Sequence, residues 1–430
     1  MVLLFRGKVL FLQLLFQFYQ QLMNLWWILY VVDWLLFTFV ALTVVYVLVY
    51  SIASLFSHRA QVAHSKHTNR FIVLITSYGE NTSVLQTVTT VLGQNFPQRM
   101  FDVVVVSDHQ NELVNMRLAQ FPITLLTPNF DVSSKAKSLQ YAVLNLPQFK
   151  LYDVVVVLDS GNVVKPEFLQ QLNDAFESAG TKAIQTHRIA KNRDTAAARL
   201  DAIFEEINNS IFRKGHLAIG LSAALNGSGI AFDFQWFKRS IMQVRPSVGE
   251  DKELEAMLVK EGIFIDYFDD IHVYDEKTRR TEDFNRQRGR WVHTQLHALL
   301  SNLRFLPSSL ANHRYDQADK IVQWMLLPRT ILIAVISIMG VVLPFIYLSI
   351  AIKWWVAGAL ALLAFSVATP DYLVDENWDR DFLRVPIVTF GAVLNIFRAG
   401  KDEVSERFSG VGLLVNKMAH QKKRKSRKKR

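Results

Sequence analysis

The sequence has no cysteine among its 430 residues. Disulfides, thiolate nucleophiles and zinc-thiolate centres are therefore excluded. No GxGxxG loop follows the first predicted strand and no Walker sequence occurs, which argues against a dinucleotide or ATP site. No internal repeat is present, and no small-residue cleavage site follows a short apolar core, so a removable signal peptide is not expected. One further absence is local. In "VVVVLDSGNVV", residues 154–164, an apolar run delivers one carboxylate, Asp159, and the position where a second acid would complete a metal-binding pair holds Gly161.

What is present is an uneven mixture. Half of the residues are apolar, yet a fifth are charged, as in a soluble domain joined to membrane spans. Residues 33–56 have the length and composition of a transmembrane helix, with Trp26 and Trp27 before them and His58, Arg59 and Lys66 after. Residues 1–32 carry glutamines at helical spacing and read as an interfacial or membrane helix. Residues 330–350 form a second expected span. Lys353, Trp354 and Trp355 are expected at a tight turn, and 353–370 as a third span with Lys353 reaching to the surface. Residues 305–329 and 385–397 read as interfacial helices. The formal net charge of +10 is concentrated in the tail 398–430, whose last nine residues hold eight cations. Beside membrane spans such a tail is a topology or anionic-lipid signal, and no nucleic-acid partner is expected. This parity places the middle domain and the tail on the cytoplasmic side of a multi-pass plasma (inner) membrane protein.

Residues 67–304 alternate between short valine- and isoleucine-rich strands (71–76, 103–107, 123–126, 154–158, 183–186) and helical stretches (83–94, 113–120, 135–146, 166–178). That order predicts an α/β domain with a mainly parallel open sheet, buried on both faces. Ligands of such sheets sit beyond the carboxyl ends of the strands. There the sequence places Tyr78 and Glu80, then Asp108, then Asp159. A single acid after a strand is often only a helix cap, whereas three on one rim point to a site. His187 and His272 read as structural.

Four further segments complete the pattern in order: "SKAKSL" around Lys135, "LNGSGIAF" with Gly227 and Ser228, "GED" ending in Asp251, and, thirty-six residues beyond Asp251, "QRGRW" from Gln287 to Trp291. Together they resemble the family-2 glycosyltransferases of GT-A fold, in the membrane-bound branch of cellulose, chitin and hyaluronan synthases, whose QxxRW, TED and GKAxAL segments they match. The resemblance implies that Tyr78, Glu80 and Asp108 hold the nucleoside of a UDP-sugar. It implies that Lys135 contacts the nucleotide half and that Asp159 approaches the diphosphate or its metal. Asp251 would be the general base, with Glu250 beside it. Gln287, Arg288 and Arg290 would close over the pyrophosphate. Trp291, Gly227, Ser228 and Glu250 would face the acceptor.

The chemistry needs the same types: a carboxylate to take the proton of the attacking hydroxyl, a cation for the departing diphosphate, and an indole face for a sugar ring. Direct displacement with one base predicts inversion. The metal question stays open in three ways: Asp159 and the diphosphate hold Mg2+ or Mn2+ weakly, Arg290 and nearby cations replace it, or the site is silent. The family writes DxD where this chain has Asp159-Ser160-Gly161, and Thr76, Gly79 and Ser107 depart from its pattern as well. The expected activity is extension of a polysaccharide, with a homo-oligomer or a synthase partner subunit supplying further helices. Single transfer to a polyprenyl-linked acceptor and a silent nucleotide-sugar-binding subunit are the alternatives. A transporter is disfavoured by spans nearly free of polar residues apart from Asp33.

Overall fold

The computed structural model describes residues 2–57, 62–79, 82–147, 149–245 and 249–373. Its centre is an eight-stranded sheet in the order β3-β2-β1-β4-β7-β6-β8-β5. The first four strands, β1 (Phe71–Tyr78), β2 (Phe101–Asp108), β3 (Thr124–Leu126) and β4 (Val154–Asp159), are mutually parallel. Their valine runs are buried because helices cover both faces. These helices are α2 (Val84–Leu92), α3 (Glu112–Leu118), α4 (Lys135–Leu144) and α5 (Phe168–Ala179), which follows the two-residue strand β5 (Val163–Val164). Beyond lie β6 (Ala183–Ala190), β7 (Ile230–Asp233) and β8 (Ile265–Asp275). Strand β7 runs antiparallel to both β4 and β6, while β6 and β8 are parallel. This mixed, mostly parallel open sheet with flanking helices is the GT-A-like architecture expected.

Strands β5, β7 and β8 do not appear in the sequence reading. Strand β7 has only four residues, and the four acids of "IDYFDDIHVYD" mask β8 as polar surface.

Helix α6 (Ala196–Asn209) runs into a π-helical turn, Ser210–Gly215, and the short α7 (His216–Ala218). After α8 (Phe234–Ile241) and α9 (Glu250–Lys260), the 22-residue α10 (Thr281–Asn302) leads through α11 (Leu306–Ala311) to α12 (Tyr315–Met325).

The apolar part begins with α1 (Val2–Ser54), a single helix of 53 residues, where the sequence suggested separate segments at 1–32 and 33–56. From Lys8 to Ser54 it contains neither glycine nor proline to break it. Helix α13 (Arg329–Val342) is shorter than the expected span 330–350, because Pro344 turns the chain into a 3-10 segment, Leu343–Phe345, before α14 (Leu348–Ala368). Among the described residues two helices, Trp26–Ser54 and Leu348–Ala368, are long and apolar enough to cross a membrane. The pair α12 and α13, bent by 51°, makes a third if it is one span. The tight turn expected at residues 353–355 is corrected: the break lies at residues 346–347, and Lys353 is inside α14, ion-paired with Asp33 of α1. Trp354 Nε1 donates to the same carboxylate at 2.9 Å. A charge in apolar surroundings needs such a partner, which α1 supplies in place of the surface. The expected segments 385–397 and 398–430 lie outside the described residues.

The two parts interlock. A Cβ on Gly215 would overlap the Tyr50 carbonyl of α1. Tyr50 stacks on His216 at 3.8 Å between ring centroids. Tyr46 and Tyr50 both donate to Asp319 of α12, at 2.7 and 3.0 Å.

Candidate active site

The carboxyl rim of the parallel strands delivers the first residues. Asp159 sits opposite Thr76, and Asp108 opposite Tyr78, on the two sides of β1. Asp108 is buried; one oxygen takes His109 Nδ1 at 2.7 Å, and the other has no hydrogen-bond partner among the described residues. A buried acceptor left open is the type of group a ligand hydroxyl or imide satisfies. Tyr78 is exposed on the same rim, edge-on to His109. Glu80 lies outside the described residues.

Helix α4 starts at Ser134, whose hydroxyl accepts from Lys137 N. Lys135 therefore falls in the first turn, where the helix dipole disfavours a cation. Its ammonium instead engages acids and a carbonyl: it is ion-paired with Asp159, donates to the Gly227 carbonyl at 2.6 Å, and lies 3.6 Å from Glu250. Burial opposes its charge, but Asp159 and Glu250 outweigh that and hold its pKa up. The Gly227 carbonyl faces it because Gly227 and Gly229 adopt φ of +61° and +64°, a left-handed geometry that glycine allows.

Helix α9 opens with Glu250, Asp251 and Glu253 in its first turn, where acids are favoured. Its N-cap, Gly249, is the close-approach residue of the site. A Cβ there would lie 2.5 Å from Thr294 Cγ2 of α10 and 2.9 Å from Asp251 Oδ1. Thr294 in turn donates to the Arg290 carbonyl at 3.0 Å. The glycine thus lets the Asp251 turn press against the turn of α10 that carries Arg290.

These elements enclose a cavity of 580 Å3. Of the expected residues, Lys135, Asp159, Gly227, Glu250, Asp251, Gln287, Arg290 and Trp291 all line it. Tyr78 and Asp108 stand on the neighbouring rim and do not. Two assignments are corrected. Ser228 is fully buried, its hydroxyl bound to Asn162 Oδ1, so it braces the strand end instead of facing an acceptor. Arg288 is buried behind the wall, bonded to Asp201 at 2.7 Å and stacked between Phe204 and Trp291, at 5.0 and 4.6 Å from the ring centroids. Two residues before Arg290 on the same helix, it faces the opposite way.

Sequence reasoning missed Arg188, Arg213, Lys252 and Trp324, which also line the cavity. Five cations therefore face three carboxylates, Asp159, Glu250 and Asp251, which suits a diphosphate. Arg188 is held by Asp275 and by the Asn226 carbonyl at 2.8 Å. Among the described residues Arg213 has only neutral hydrogen-bond partners, Asn209 and the Ala224 carbonyl, and burial lowers its pKa. Trp324 presents a buried Nε1 without a hydrogen-bond partner among the described residues. No motif flags these residues; β6 brings in Arg188, the π-helical turn Arg213, the first turn of α9 Lys252, and α12 Trp324. Burial raises Glu250 to about 7, with Lys135 opposing and Asp251 adding to the shift.

The divalent ion implied by the resemblance does not fit this donor set. Gly161 has φ +99°, a conformation that suits glycine, and offers no ligand. Asn162 is buried and turned back to Asp159 N and Asp275, at 2.9 and 2.8 Å. Asp159 is already engaged by Lys135. Among the described residues no group of three or more histidine, aspartate or glutamate side chains is placed to hold an ion.

No curated protein matches the chain. Among solved structures it is similar to the mannosyltransferase PcManGT from Pyrobaculum calidifontis in complex with GDP-Man and Mn2+. That likeness has a TM-score of 0.50 and 14% identity, and covers 83% of this chain and 98% of the other. It is also similar to S. aureus TarS 1–349, with a TM-score of 0.40 and 13% identity, covering 78% of this chain and 91% of the other. At these identities the first likeness bears on fold alone, and the second carries no argument. The sequence model described as "Glycosyltransferase like family 2" matches residues 68–294. That match spans more than half of the chain and contains both the strand rim and the cavity acids, so the protein belongs to glycosyltransferase family 2 and transfers a sugar from a nucleotide-sugar.

Proposed function

We propose an inverting, membrane-bound hexosyltransferase that moves a sugar from a UDP-sugar to a growing polysaccharide. One observation carries the reading: Asp251 shares its cavity with Lys135, Arg290 and Trp291, although the four come from three separate helices. Asp251 takes the proton of the acceptor hydroxyl as the oxygen attacks the anomeric carbon. The bond to the diphosphate breaks on the opposite face, and the leaving group departs as UDP. Lys135, Arg188 and Arg290 receive the charge that develops there, the work a preorganised cation cluster does well in a partly dry site. Trp291 and Trp324 offer indole faces to the acceptor ring. The nucleoside half extends along the rim to Tyr78 and the open oxygen of Asp108.

The catalytic domain and basic tail are placed on the cytoplasmic side, where nucleotide-sugars are made. Two or three spans do not enclose a polymer channel, so processive synthesis calls for a second copy or a partner subunit. A single transfer to a polyprenyl-linked acceptor is favoured by one feature: Gln323 and Trp324 of the cavity wall belong to α12, which leads into apolar α13. A panel of UDP-sugars and GDP-mannose, with mass analysis of the product, separates these readings. Equal incorporation by wild type and Asp251→Asn would leave only a silent, nucleotide-sugar-binding subunit.

A further inference from the structure

A second cavity, of 300 Å3, lies between α6, α13 and α14. Its wall is almost wholly apolar, with Leu200, Ile207, Ile333 and Leu362 among the lining side chains. At its edge stands Arg329. Nη2 donates to the Phe204 carbonyl at 2.8 Å, while Nη1 is shut off from solvent and has no hydrogen-bond partner among the described residues. Such a donor is costly to leave unmade. The surroundings add to the imbalance. Arg329 and Arg288 both stack on the ring of Phe204, each 5.0 Å from its centroid. Asp201 there is ion-paired with Arg288, at 2.7 Å.

An apolar slot between membrane-type helices, ending in a guanidinium with one open nitrogen, fits one chemistry: a hydrocarbon chain with a phosphate at its end. We propose that this cavity binds an anionic phospholipid of the bilayer, with Arg329 on the phosphate and the apolar wall around an acyl chain. The occupant is not the sugar acceptor. The stack of buried Phe204 and Arg288 on the more exposed Trp291 stands between Arg329 and the cavity of Asp251, so a head group held there does not reach the reacting carboxylates. The stack also gives the lipid a consequence. Trp291 is the last member of the stack and a wall of the reaction cavity, so lipid on Arg329 steadies the indole that faces the acceptor.

The test uses the full chain in detergent, titrated with phosphatidylglycerol or phosphatidylcholine and read by native mass spectrometry. Phosphatidylglycerol is expected to bind at least ~10-fold tighter, and inorganic phosphate alone is expected not to displace it. Arg329→Gln loses that preference, and Ala361→Phe, which fills the slot, loses both lipids. Thermal unfolding and UDP binding report whether each variant is folded. In vesicles, sugar transfer by wild type rises several-fold when phosphatidylglycerol is added to phosphatidylcholine, and that of Arg329→Gln does not. Equal affinity of folded wild type for the two lipids would overturn the proposal. So would displacement by a polyprenyl phosphate that is then glycosylated, which would give the cavity to the acceptor. Because the chain has no cysteine, a Leu362→Cys, Leu394→Cys pair tests the last rival. Efficient disulfide formation would assign the slot to the chain's own residues 385–397 and reject the lipid.

Discussion

The ammonium of Lys135 is ion-paired with Asp159, the carboxylate that ends β4. A lysine thus occupies the acid that a divalent ion would need, and Gly161 offers no second one. We expect EDTA to leave sugar transfer within ~2-fold of its starting rate. Lys135→Gln should lower kcat by ~10²–10³, the usual effect of removing one preorganised charge donor, and added Mn2+ should not restore it. Full loss of wild-type activity in chelator, recovered with Mn2+ or Mg2+, would reject this reading.

Asp251→Asn should lower kcat by ~10²–10⁴, the range for loss of a general base, with UDP affinity measured by calorimetry little changed. A comparable fall in UDP affinity would make Asp251 a binding residue.

Gly249 gives a sharper test of geometry. Gly249→Ala places a methyl against Thr294 Cγ2 and should separate the Asp251 turn from the Arg290 turn. A displacement of this kind costs ~10²-fold in rate. Thr294→Ser removes the obstructing methyl, keeps the hydroxyl, and should rescue Gly249→Ala in part, the contact with Asp251 Oδ1 remaining. Absence of rescue would show that the contact does not set the distance between base and arginine.

His187 supplies a pH-dependent test away from the cavity. Burial disfavours its charge, but Asp269 and Glu206, each 3.0 Å away, outweigh this and raise its pKa to about 9. A raised histidine stabilises the fold fully below its unfolded value of 6.5, and that contribution is lost as pH rises through 9. His187→Phe should therefore cost up to about 3 kcal/mol at pH 6 and progressively less towards pH 9.5, from about 1.4 kcal/mol per pKa unit. Thermal unfolding across that interval reads it; a pH-independent loss would mean the ring acts only by packing.

In the apolar part, Asp33→Leu strands Lys353, whose ammonium also lies 3.9 Å from the Trp34 ring centroid. Removing one partner of a buried pair costs ~3–5 kcal/mol, whereas replacing both is far cheaper. The double variant Asp33→Leu, Lys353→Leu should therefore unfold nearer to wild type than the single one.

The parallel half of the sheet was legible because its valine runs leave no alternative to burial on both faces. The cavity acids and the QRGRW turn were legible as an ordered set. What escaped depends on three-dimensional closure. Strand β7 is recruited by its neighbours, not by its own four residues. Arg188 and Arg213 enter the site through the far end of an interior strand, β6, and a π-helical turn that no spacing announces. Arg288 was misplaced because residues two apart lie on opposite sides of a helix, so of the motif's two arginines only Arg290 faces the cavity. Ser228 was misread because a turn of small residues looks open until Asn162 is seen bonded to it.

Gly215 has a mechanical consequence. With no side chain to hold them apart, the π-helical turn sits directly on the backbone of α1 at Tyr50, and the stacked Tyr50 and His216 rings stop one from rolling over the other. The long helix and the sugar-transferring domain are therefore keyed together like a shaft and its hub. Any inclination of the helix is carried straight into the sheet, and with it into the reaction chamber.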